Sequence, residues 1–124
     1  MSLLNALMGN ANTLDVTTAT AELGHILIPG ERVEHAYKLV RDLIVFTDKR
    51  LLLVDKQGVT GKKTEYHSVP YAKISHFSVE TAGTLDMESE LKVALSGGAV
   101  FTRTFGRGVD IGDVQKVLAS YVLA

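Results

Sequence analysis

The sequence predicts a mainly β, antiparallel domain closed by a C-terminal amphipathic helix. Three observations carry that reading. Between Val33 and Val79, apolar runs alternate with polar turn signals at spacings of roughly ten residues, which suits a strand meander. A second alternating pair flanks Ser96-Gly97-Gly98. Beyond Asp110 the apolar period changes from two to 3.6, with Ile111, Val114, Val117, Leu118, Tyr121 and Val122 on one stripe.

Taken in order, residues 1–12 (MSLLNALMGNAN) group Leu3, Leu4, Leu7 and Met8 on one side of a helical turn or two. A segment that short is marginal as an isolated helix, so it either docks or frays. Thr13 to Leu27 holds a second helix candidate, weakened by the β-branched cluster Val16-Thr17-Thr18 and ended by Pro29-Gly30. Five strands follow, at about Val33–Val40, Asp42–Thr47, Arg50–Lys56, Lys62–Val69 and Lys73–Glu80. Asp48-Lys49, Gly58 with Gly61, and Pro70 mark the turns between the later ones. After an acidic connection from Thr81 to Glu88, Leu91, Val93 and Leu95 alternate with Lys92 and Ala94, and Ala99–Phe105 returns as a seventh strand. Asp110 is placed to cap the final helix, with Val109 positioned to staple against Val114.

Leu43-Ile44-Val45-Phe46 and Leu51-Leu52-Leu53-Val54 are apolar at every position, so both faces of those strands should be covered. One face belongs to the core. The other needs the N-terminal helix, a partner, or another copy of the chain.

At 124 residues the chain has the length of one domain, with residues 1–17 read as an extension and 18–124 as the domain proper. It contains no cysteine, which excludes disulfides, thiolate metal sites and cysteine nucleophiles, and which suits the cytoplasm. The net charge of -1 gives no overall attraction to nucleic acid, and the lack of Trp disfavours a base-stacking platform. Residues 32–73 are locally basic, yet Asp48, Asp55 and Glu65 are interleaved with the lysines. No charged leader precedes an apolar core at the N-terminus, and no run approaches the ~20 apolar residues of a spanning helix.

Chemistry-bearing patterns are sparse. His25, His35, His67 and His76 form no helical i, i+4 pair and no close strand pair, so neither a metal nor another cofactor is expected. Gly106 to Gly112 stands before a helix, but Asp110 already brings negative charge to that end. No nucleophile elbow, P-loop or framed carboxylate pair occurs, and an enzyme is not expected.

The segments Leu27-Ile28-Pro29-Gly30-Glu31, Phe46 to Gly58 (FTDKRLLLVDKQG), Gly61-Lys62-Lys63, Val69-Pro70-Tyr71, Ile74, Phe77 to Thr84 (FSVETAGT) and Gly108-Val109-Asp110 resemble the bacterial pleckstrin-homology domain family over nearly the whole chain. The resemblance implies a seven-stranded antiparallel sandwich or partly open barrel capped by the C-terminal helix. It also implies a non-enzymatic module that assembles into ring-like homo-oligomers, and it carries over no catalytic or ligand residue. Phosphoinositide-binding relatives place Lys and Arg around a long loop between the first two strands. Here that connection is only about Val40-Arg41-Asp42, too small to converge several donors on a phosphate.

Two functional expectations follow. The leading one is a homo-oligomeric interaction module that presents a surface to an unidentified protein partner. The edges of the first and fifth strands offer backbone pairing, with Leu43, Phe77, Val79 and Arg103 as candidate interface residues. The alternative is a weak peripheral sensor of anionic lipid using Lys49, Lys56, Lys62 and Lys63.

Overall fold

The computed structural model describes residues 14–39, 42–58, 62–81, 88–106 and 108–124. The expected extra helical turns in residues 1–12 lie outside the described residues. The chain divides into two compact units, with the division in sequence falling between Pro70 and Tyr71.

The first unit opens with helix α1 (Val16–Leu23) and continues as β1 (Val33–Lys38), β2 (Leu43–Thr47), β3 (Arg50–Gln57) and β4 (Lys63–Pro70). The four strands form one antiparallel sheet in sequence order. α1 is shorter than the Thr13–Leu27 candidate. The Asp15 carboxylate accepts from the Thr18 amide at 3.2 Å and starts the helix, and it gives way to a turn at Gly24. Gly30, at φ 85, turns the chain into the first strand in the left-handed region that glycine enters without strain.

The two apolar strands bury both faces. Register aligns Ala36 with Val45, Val45 with Leu52, and Leu43 with Val54, which places these side chains on one face. Ala19 and Leu23, four residues apart on α1, pack onto that face, with Leu14, Ile26 and Leu27 at its margins. Ile44, Phe46, Leu51 and Leu53 occupy the opposite face, also without exposure. The N-terminal helix therefore covers the first face, and the continuous apolar runs are explained within one chain rather than by a second copy.

The second unit begins with a 3-10 turn (Tyr71–Lys73) leading into β5 (Ile74–Glu80), β6 (Ser89–Leu95) and β7 (Val100–Phe105), an antiparallel sheet in that order. The β6–β7 tip uses Gly97 and Gly98 at φ 100 and 103, closed by the Leu95 amide donating to the Ala99 carbonyl at 2.8 Å. Helix α2 (Ile111–Val122) follows, with Asp110 accepting from the amides of Gly112 and Asp113. Its buried stripe is Ile111, Val114, Val117 and Leu118, as the 3.6 period predicts. α2 packs on β5, β6 and the 3-10 turn, where Tyr121 stacks on Tyr71 at 4.5 Å and 7°. No helix of the described residues is long and apolar enough to cross a membrane.

Candidate functional site

The best-organised polar group among the described residues is a buried junction, and it accounts for two of the sequence segments singled out above. Glu31 ends the Pro29-Gly30-Glu31 turn with its side chain fully buried. Arg50, at the start of β3, grips it with both prongs: Nε donates to Oε2 and one Nη to Oε1, each at 2.8 Å. That same Nη also donates to the Ile26 carbonyl at 2.8 Å, while the other reaches Ser68 Oγ on β4 at 2.9 Å. Thr47 donates its hydroxyl proton to Glu31 Oε2 at 2.6 Å and accepts from the amides of Lys49 and Arg50. The Ile28 amide donates to Oε1 at 3.1 Å. Beside this group, Asp48 Oδ1 accepts from the Arg32 amide at 2.8 Å, and its own amide donates to the Arg32 carbonyl at 3.0 Å.

Burial alone would raise the Glu31 pKa. The hydrogen bonds from Arg50, Thr47 and Ile28 and the charge of Arg50 outweigh that cost and hold it at about 2. Every donor around the carboxylate is committed to it, so the junction ties α1's exit loop to the β2–β3 hairpin and to β4. Its role is architectural. Both segments that supply Glu31, Thr47 and Arg50 carry the family resemblance, but nothing in the sequence marks the three residues as a unit. Their pairing spans 19 residues, and no local periodicity signals it.

The interface candidates separate. Leu43 is 3% exposed and belongs to the core under α1, so it presents no surface for association. Phe77 and Val79 are half-buried on β5, opposite Val93 and Leu91. Arg103 shares the face of Leu91, and its guanidinium carbon lies 5.6 Å from the Phe101 ring centroid while one Nη donates to the Thr102 carbonyl.

The lysine candidates also fail to gather. Lys49 sits at the β2–β3 tip, whereas Lys56 and Lys63 lie at the far ends of β3 and β4, roughly 23 Å away at about 3.3 Å per residue. Lys56 pairs with Glu22 at 3.7 Å, and Asp55 faces Glu65 across the same strands. Lys62 and Lys63 remain as an exposed pair. The β1–β2 connection is short, running from Lys38 to Leu43, with residues 40–41 outside the described set. Among the described residues, no group of three or more His, Asp or Glu is placed to hold a metal ion.

What the fold leaves open is strand edge. At β1 the Leu14 amide already donates to the Ala36 carbonyl at 3.0 Å, so that edge is partly capped. Among the described residues no strand pairs with the outer edges of β4 or β5. On β4, Lys63, Glu65, Tyr66, His67, Ser68 and Pro70 are all exposed, and only Val69 is buried.

The sequence model described as Bacterial PH domain matches residues 2–122. The uncharacterized protein YjqA of Bacillus subtilis strain 168 is 57% identical over 122 residues, covering 97% of this chain and 98% of that protein. YozO of the same organism, also named as uncharacterized, is 32% identical, covering 86% and 91%. Among solved structures, the pleckstrin homology domain from Shewanella amazonensis SB2B superposes with a TM-score of 0.83 at 53% identity, covering 99% and 100% of the two chains. A DUF1696 family protein with a pleckstrin-homology domain from Shewanella loihica PV-4 gives 0.80 at 46%, covering 90% and 96%. Two separate antiparallel sheets of four and three strands, an amphipathic helix at the C-terminal end, and these relationships assign the chain to the bacterial PH domain family.

Proposed function

We propose that this chain is a non-catalytic interaction module that self-associates through its open sheet edges and so presents repeated copies of a protein-binding face. The observation that carries the reading is β4, an eight-residue edge strand exposed on both faces. Such an edge offers a row of backbone donors and acceptors to a second strand. β5 adds an edge in the other sheet, with Phe77 and Val79 half-buried beside it. Edges that differ from one another permit head-to-tail pairing, and a ring forms where the rotation closes. The polar cluster around Glu31 is consumed in holding the fold, and it leaves no organised group for acid–base or nucleophilic chemistry among the described residues.

Absolute mass by light scattering over a wide protein range tests this. A stable multiple of 13.4 kDa is expected. A mass of one chain at every concentration would overturn self-association. The lipid reading has less support, because only Lys62 and Lys63 stand together and acids flank the hairpin.

A further inference from the structure

We infer that Tyr71 and Tyr121 form a site of oxidative modification, at which a one-electron oxidant joins the two rings as an intramolecular dityrosine. The new bond would tie the end of α2 to the turn that begins the second sheet. The inference does not depend on self-association.

Geometry supplies the first reason. The ring centroids lie 4.5 Å apart and the ring planes differ by 7°. With planes in contact at about 3.5 Å, that separation slides one ring roughly 3 Å across the other, an offset stack. Carbons at the edge of one ring then sit over carbons of its neighbour. Regular structure places both partners. Tyr71 opens the 3-10 turn, and Tyr121 follows Val117 and Leu118 by one helical turn, on the stripe that α2 buries. Each ring is half-buried, so a small dissolved oxidant reaches the pair without the fold opening.

The chemistry follows from two phenols held face to face. Each gives one electron to the oxidant and its hydroxyl proton to water. The two phenoxyl radicals then pair their unpaired electrons in a bond between ring carbons ortho to the oxygens. The hydrogen on each joined carbon passes through water to the ring oxygen, which restores both phenols. The net loss is two electrons and two protons. Persulfate, photoactivated with a ruthenium tris-bipyridyl sensitiser, takes the electrons as it becomes two sulfates.

Composition directs oxidation to tyrosine, because the chain has no cysteine and no tryptophan to compete for one-electron oxidants. Of its other two tyrosines, Tyr37 is 5% exposed, and Tyr66 stands edge-on to the His25 imidazole at 5.3 Å and 82°. The 71/121 pair therefore combines access with a stacked phenol partner.

Illumination of the full chain with this sensitiser and persulfate, at a dose that couples free tyrosine, tests the assignment. The expected product runs as a single chain on denaturing gels, is two hydrogens lighter, and joins tryptic peptides 64–73 and 117–124. Y71F and Y121F, each checked for native circular dichroism, should lower the single-chain yield about tenfold or more, as should unfolding in urea. Y37F should leave the yield unchanged, and so should Y66F, which removes the second tyrosine of peptide 64–73. The joined chain should also unfold at higher urea than the untreated one, since the link restricts the unfolded state. Equal yield from Y121F, or dityrosine formed only between chains, only through Tyr66, or not at all, would overturn the site.

Discussion

Replacing Glu31 by Gln removes one charge from the buried junction while keeping the side-chain volume. The Glu31 pKa falls from 4.5 to about 2 on folding, so at neutral pH ionised Glu31 stabilises the fold by roughly 3 kcal/mol, at about 1.4 kcal/mol per unit. The sign is that of a depressed carboxylate. The contribution is complete above the unfolded pKa and is lost as pH falls through the folded value. Arg50 keeps 21% of its side chain exposed, so water relieves part of the charge left behind in the variant. That places the expected loss near the low end of the roughly 3–5 kcal/mol for breaking a buried pair. Urea unfolding of both proteins, read by circular dichroism from pH 7 to pH 3, measures the gap. E31Q should be about 3 kcal/mol less stable at pH 7, and the difference should shrink to less than half by pH 3, as Glu31 of the unfolded chain takes up its proton while the native carboxylate is still ionised. A gap that stays constant across that range, or one below about 0.5 kcal/mol at pH 7, would refute the assignment of the junction as an ionised structural lock.

Leu23→Ala should cost about 2–5 kcal/mol in urea unfolding, because it opens a cavity between α1 and the face formed by Leu43, Val45, Leu52 and Val54. The pair Lys62→Glu and Lys63→Glu should leave stability within about 0.5 kcal/mol and leave oligomer mass unchanged. Wild-type pelleting with anionic vesicles that disappears in this pair would instead favour the lipid reading.

The fold was legible because its signals are local. Alternation marked the seven strands to within a few residues, Ser96-Gly97-Gly98 marked the last hairpin, and the Ile111 to Val122 stripe marked α2, each an independent clue of period or turn chemistry. The functional surface was less legible, because the same signal admits several causes. Apolar residues at every position of β2 and β3 demand cover on both faces, but hydrophobicity carries no address. A helix of the same chain and a helix of another satisfy it equally. The helix that does so is encoded weakly: Val16, Thr17, Thr18 and Thr20 oppose helicity, and only Ala19 and Leu23 bury fully. Its register is fixed downstream, where Arg50 holds the Ile26 carbonyl and Glu31 together. The motifs around Glu31 and Arg50 therefore encode a lock for the cover, and the proposed self-association draws instead on the β4 edge. There the sequence carries the opposite signature: polar side chains on both faces of a regular strand, which no core requires and which a second strand can use.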